Sequence, residues 1–177
     1  MASIFGHIAA ATAIGQAAFP RQARPASFLI AACLACAPDL DVIAFRFGIS
    51  YGSEWGHRGW THSLVFTVLL GLFTGLIFNL LQKKNAGYRP VFTTLWFVLS
   101  AVSHPLLDML TNGGRGCALW WPFEPTRIFF PWHPIQVSPL GAGAFFSEWG
   151  LRVLMSEFLW IGLPGLALVL LSKALRD

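Results

Sequence analysis

At 177 residues the chain is long enough for one domain and short for two. It is 55% hydrophobic and only 11% charged, where a soluble domain carries about 25% charged residues. That excludes an ordinary soluble protein and points to a single membrane-embedded domain over residues 1–177. The net charge of +4 is no nucleic-acid signature. No Lys/Arg cluster is interleaved with aromatics along a polar face, so no nucleic-acid partner is expected.

Taken in order, Ser3 to Phe19 is an Ala-rich helical segment that carries His7 and stops at Pro20. It holds no Lys or Arg, so it lacks the positive region of a signal peptide and is read as a retained helix. After a polar turn, a second segment runs from Ala26 to Ala37. Pro38 interrupts it, Asp39 and Asp41 follow, and Val42 to Phe47 form an apolar stub. A spanning helix broken beside acids is expected only where it lines a cavity or is buried in protein. Cys33 and Cys36 form a C-x-x-C pair, but in an apolar helical context they read as packing residues. With Cys117 the cysteine count is odd, which argues against a disulfide framework.

A loop from Gly48 to Gly56 leads into Gly56-His57-Arg58-Gly59-Trp60-Thr61-His62-Ser63. This motif stands at the mouth of the uncharged run Leu64 to Leu81, which begins a third segment ending near Gln82. About 20 apolar residues make a full bilayer span. Ionisable groups at membrane depth are costly and usually carry function. Thr61 is the expected N-cap of this helix, and Ser63 and Ser103 are expected to support neighbouring ligands. A basic turn, Lys83 to Pro90, precedes the fourth segment, Val91 to Thr111, with His104 and Asp108. Asn112 to Ser147 is dense in Gly, Pro, Trp and Phe. It reads as a packed cap whose aromatics, Trp120-Trp121-Pro122-Phe123 among them, lie at the membrane interface. A last segment, Glu148 to Ser172, contains Glu157 and an expected kink at Pro164. The expected fold is all-α: a polytopic membrane helix bundle of about five segments, with the aromatic/Pro-rich cap between the last two.

Five crossings put His7, Asp39, Asp41, His57, His62, His104 and Asp108 on one side. The ligand-free face then carries seven Lys/Arg and the site face five, so the positive-inside rule places the site on the extracytoplasmic face of the bacterial inner membrane. At a rise of about 1.5 Å per residue, Asp39 lies roughly 18–20 Å from the basic face. That depth suits a substrate presented by the membrane.

His104 and Asp108, four apart, project from one helix face and can bind an ion. A hydrogen-bonded structural histidine explains such a pair equally well. Asp39 and Asp41 can instead cap a helix, and His62 can be an interfacial residue. Convergence of all these motifs on one face favours a metal site. Mixed imidazole and carboxylate ligands suit zinc, with manganese or iron as alternatives, and two or more ions are possible. Two ions of this kind activate water and clamp a phosphoryl oxygen. Arg58 and Arg115 are the candidate phosphate ligands, by bidentate hydrogen bonds; Arg58 can instead support the metal ligands from behind or be a snorkelling surface residue. His133, beside Trp132 and Pro134, reads as structural, and Glu157 needs a partner, either Arg152 or the site.

Gly6-His7, Pro38-Asp39-Leu40-Asp41, the Gly56–Ser63 motif and Ser103-His104-Pro105-Leu106-Leu107-Asp108 resemble the membrane-bound metal-dependent hydrolases of the YdjM type, a family with a LexA-regulated bacterial member. That family is distantly similar to zinc-dependent phospholipase C and the single-strand nucleases. The similarity implies His7, Asp39, His62, His104 and Asp108 as metal ligands, with Asp108 bridging and Asp41 and His57 less directly matched. The resulting expectation is a phospholipase-like metal-dependent hydrolase, a phosphoesterase that uses a metal-activated water on a membrane lipid or lipid-linked phosphoester. Asp39 or Asp41 would orient or deprotonate the water, and Arg58 would bind phosphate. The alternatives are a metal-ion carrier or channel, whose ligands would spread through the membrane depth, and a scaffold with a structural metal and no open coordination position.

Overall fold

The apolar segments fold into helices whose ends fall at the chain's proline, glycine and serine positions. The computed structural model describes residues 1–82 and 88–176. Among these the secondary structure is helical: α1 (Ile4–Ala18), α2 (Pro25–Cys36), α3 (Leu64–Leu81), α4 (Pro90–Met109), the short α5 (Ala142–Phe145), α6 (Glu148–Glu157) and α7 (Leu163–Ala174). Four stretches are long and apolar enough to cross a membrane: Pro25–Phe47, Leu64–Leu81, Pro90–Met109 and Glu148–Ala174. The first expected crossing is shorter, since α1 has 15 residues. It packs in the bundle against α2, α4 and α7.

The expected break at Pro38 is a change of winding. Pro38 has no amide to pair with the Leu34 carbonyl, so α2 passes into a 3-10 helix over Ala37–Phe47. A 3-10 run of that length is uncommon and marks a place under constraint. The expected kink at Pro164 takes a similar form. A π turn, Phe158–Gly162, lies between α6 and α7, where Pro164 cannot donate to the Trp160 carbonyl. Ser63, not Thr61, caps α3; its hydroxyl accepts from the Phe66 amide. Thr61 is drawn away by Asp41, as described below. Lys83, Lys84 and the rest of residues 83–87 lie outside the described residues.

Helix α4 is the centre of the bundle, in contact with α1, α2 and α3. Trp96, Phe97 and Ala101 on it are fully buried. The Trp96 indole donates to the Ala11 carbonyl at 3.0 Å. On the other side, Gly71 and Gly75 of α3 form a small-x-x-x-small stripe. A methyl group on Gly71 would stand 2.5 Å from Val98 Cα, so the two backbones meet there with no room for a side chain. The opposite face of α3 (Leu69, Phe73, Leu76, Leu80) is exposed, as a lipid-facing surface should be.

The segment after α4 is the expected packed cap. Cys117 bridges to Ile128 antiparallel and Thr111 to Ile135 in parallel. Cys117, Leu119 and Ile135 are buried, while Trp120, Phe123 and Trp132 are exposed. The three cysteines are free. Cys33 is exposed rather than packed inside, because its helix turns that face away from the core.

Gly71→Leu should lower the melting temperature in detergent by roughly 4–8 °C, through overpacking of the α3–α4 contact. Leu72→Ala, on an exposed position of the same helix, should change it by no more than about 2 °C. Thermal unfolding of the two variants beside wild type checks this.

Candidate metal centre

Three elements bring their ends together at one end of the bundle. Asp39 comes from the 3-10 run after α2, His62 from the short turn Trp60–His62 before α3, and His104 and Asp108 from successive turns of α4. Their ligand atoms lie within 4.8 Å of one another. His62 Nε2 is 3.5 Å from both Asp39 Oδ1 and Asp108 Oδ2, and His104 Nε2 is 3.4 Å from Asp39 Oδ1. His7, on the first turns of α1, places Nε2 3.5 Å from Asp108 Oδ1 and stacks its ring on His104 at 3.9 Å. A second group, Asp41, His57 and His62, shares His62 with the first. The seven ligands nominated from the sequence therefore meet in space. Asp39 alone keeps appreciable side-chain exposure, 13%.

The roles within the group differ. His104 Nδ1 lies 2.6 Å from the Ala35 carbonyl, so it carries the proton and Nε2 presents its lone pair inward. His62 Nδ1 faces Asp41 Oδ2 at 3.2 Å, which again turns Nε2 inward. Asp41 is fully engaged by protein donors. Its Oδ1 meets His57 Nδ1 at 2.7 Å, and its Oδ2 accepts from the Thr61 hydroxyl at 2.6 Å and the Arg58 amide at 3.1 Å. Asp41 thus orients the imidazoles and closes the 57–62 loop, Asp39 keeps an unpartnered oxygen, and Asp108, bonded by the Ala2 amide and Arg58, still has His7 and His62 within 3.5 Å.

Arg58 points into the protein. Its side chain is completely buried. Nε donates to Asp108 Oδ2 at 3.0 Å, Nη1 to the Gly113 carbonyl at 2.9 Å and Nη2 to the Thr111 hydroxyl at 2.9 Å. The expected phosphate ligand is instead the counter-charge of Asp108. Burial works against the Arg58 cation, but the Asp108 carboxylate outweighs it and holds the guanidinium charged above its ordinary range. Its backbone is left-handed, φ 63°, which aims the side chain back under the loop. Arg115 is exposed, over the Tyr51 ring at 5.8 Å. Ser63 caps α3 and Ser103 bonds back to the Ser100 carbonyl, so neither supports a ligand. His133 is exposed and apart from the centre, and Glu148 pairs with Arg152 on the surface.

These residues fit a cation. Both ring nitrogens of His7 and Oδ1 of Asp39 are buried without a hydrogen-bond partner, a costly state for polar atoms. The Nε2 atoms of His62 and His104 lie 3.1 Å apart, a contact satisfied by a shared proton or by a cation between two inward lone pairs. Burial disfavours a charged His62, yet hydrogen bonds to Asp108, Asp39 and Asp41 raise its pKa well above the usual imidazole value. The position therefore attracts positive charge. Among side chains, three carboxylates meet one guanidinium, so the group carries an excess of acids that favours a bound cation.

The chain matches the family model of the YdjM inner membrane protein over residues 1–176. It belongs to the YdjM family. It is also 35% identical over 171 residues to the inner membrane protein YbcI of Escherichia coli K12, covering 96% of this chain and 95% of that protein. No solved structure matches it. With its four membrane-length helices, this YdjM family member is an integral inner membrane protein.

Two residues of this YdjM family chain escape a motif search. Arg127 donates to the carbonyls of His57 (2.6 Å), Ser53 (2.8 Å) and Tyr51 (3.0 Å), and so clamps the loop that carries the histidine motif. Glu157, placed by the sequence against Arg152 or the site, instead accepts from the Ser3 amide and the Ser3 hydroxyl, while the neighbouring Ala2 amide donates to Asp108 Oδ1 at 2.7 Å. Gly6 makes this possible, since a methyl group there would lie 2.9 Å from the Glu157 carboxylate. Only an isolated acid in an apolar run signalled Glu157, and nothing local signalled Arg127.

Elemental analysis of protein purified in detergent should find at least one divalent metal per chain, and substantially less in Asp108→Ala. Arg58→Ala should destabilise the fold by about 3–5 kcal/mol, because it strands a buried carboxylate. Arg58→Lys should fail to restore stability, since a point charge cannot bond Asp108, Gly113 and Thr111 together. Thermal unfolding of both Arg58 variants tests this.

Proposed function

We propose that this chain is a membrane-embedded metal-dependent hydrolase that cleaves a phosphoester of a membrane lipid or lipid-linked molecule. One observation carries the reading: the buried His/Asp group touches an apolar cavity through Asp39. The cavity holds about 430 Å³, and Ile4, Phe5, Leu40, Leu140, Phe145 and Phe146 stand among its walls. These walls suit an acyl or prenyl chain, and a chain lying there would bring its headgroup to the ligand cluster. The cavity lies at one end of the bundle, and the candidate ligands gather there instead of spreading along the spans. That arrangement favours a hydrolytic site over an ion path.

His7, Asp39, His62, His104 and Asp108 would hold the metal. A bound divalent ion, zinc or manganese for example, polarises a phosphoryl oxygen and lowers the pKa of water. The remaining tasks belong to the chain. Asp39 is the partly exposed carboxylate, placed to orient the attacking water or take its proton. Asp41 fixes the ring of His62 and that of His57. Arg58 holds Asp108 ionised and in place. Asp41 shares no free oxygen at present, so a second ion between it and His57 would have to displace the bonds to the loop. Neither Arg58 nor Arg115 lines the cavity among the described residues. Phosphate recognition in this reading therefore falls to the cluster itself.

Phosphoester release from lipid phosphates and phospholipids in mixed micelles is the test. Activity should vanish on chelation and return with zinc or manganese. Asp41→Asn should reduce it by about 10–100-fold through misoriented imidazoles. Undiminished turnover in the double variant His62→Ala, Asp108→Ala would falsify the proposal.

A further inference from the structure

The other end of the bundle carries a second concavity, larger than the first and of opposite character. It measures about 700 Å³ and forms where α1 ends, α4 begins and α7 ends. Arg21, Arg89 and Arg176 line it, together with the rings of Phe19 and Phe92. The arginines come from three separate helix ends, so only the fold brings them together. Helix rise puts the start of α4 about 21 Å from His104, which separates this cavity from the metal centre.

Among the described residues none of the three arginines forms an ion pair; the Arg/Lys–carboxylate pairs there are Arg58–Asp108 and Arg152–Glu148. Arg176 is held in position by the Ala17 carbonyl, to which Nη1 donates at 3.0 Å. The Arg21 and Arg89 side chains are exposed. Snorkelling to the headgroup layer accounts for basic residues at a helix end. It does not account for three of them around one hollow beside a tilted Phe19–Phe92 pair at 6.3 Å. Guanidinium groups over an apolar wall, at the end of membrane-spanning helices, match a phosphate with hydrocarbon attached.

We infer that this cavity binds the phosphate headgroup of an anionic phospholipid, with the phosphate among Arg21, Arg89 and Arg176 and the glycerol and upper chain against Phe19 and Phe92. The site is independent of the metal centre. It would anchor the ends of α1, α4 and α7 to one lipid.

The test is native mass spectrometry of detergent-purified protein titrated with phosphatidylglycerol or phosphatidylcholine. Phosphatidylglycerol should bind and phosphatidylcholine should not. Arg21→Gln and Arg89→Gln should each weaken binding roughly fivefold. Both side chains are exposed, so the variants should melt with wild type, which separates lost binding from lost fold. Arg24→Gln, on the same face but outside the cavity lining, should bind as wild type does. Equal binding of the two lipids, or an equal loss in Arg24→Gln, would overturn the site in favour of general surface charge. Displacement of the lipid by inorganic phosphate at equal concentration would overturn the lipid assignment in favour of a free-phosphate site.

Discussion

Everything at the ligand end of this protein turns on a carboxylate placed where a carboxylate should not be. Asp108 is completely buried, near the end of the most enclosed helix of a membrane bundle. An isolated ion there would cost several kcal/mol in lost hydration. The chain answers from three directions. Arg58 and His62 reach it from the loop before α3, the Ala2 amide from the start of the chain, and His7 from α1. Each partner fixes its own segment in turn. The arginine ties the histidine loop to Thr111 and Gly113, and the Ala2–Ser3 stretch is fastened to Glu157 on α6. Neutralising one acid thus orders five segments around it.

The general fold was legible because hydropathy and turn residues are local signals. Leu64–Leu81 and Pro90–Met109 fall within a residue or two of the apolar runs that foretold them. The boundaries that shifted did so for a backbone reason. At Pro38 and Pro164 a missing amide can end a helix, kink it or change its winding, and the sequence does not say which. α1 was legible as a helix, but only its 15-residue extent shows that it falls short of a span.

The cluster was legible for a different reason: histidine and aspartate in short motifs, all at the same ends of alternating segments. Which of them would face inward was not. Asp39 and Asp41 are two apart and chemically identical, yet one is left with an unpartnered oxygen and the other is bonded throughout. That difference depends on where the loop of His57 to His62 folds back, a contact some 16 to 20 residues away in sequence. Of the roles open to Arg58, phosphate binding or support of a ligand, the fold supplies the second. An arginine in a site motif suggests an anion, and the anion proved to be the protein's own Asp108. Arg127 had no motif at all, since its partners are backbone carbonyls, which any sequence supplies.

The shortness of α1 has a consequence for the surrounding bilayer. Fifteen residues rise about 22 Å, roughly 8 Å less than a hydrocarbon core of about 30 Å. Where so short a helix meets both faces, the bilayer thins beside it, flanking side chains reach outward, or helices associate. Ile4 and Phe5, at the ligand end of that helix, are also walls of the cavity that opens on Asp39. Any thinning of the bilayer beside α1 would therefore fall next to that cavity.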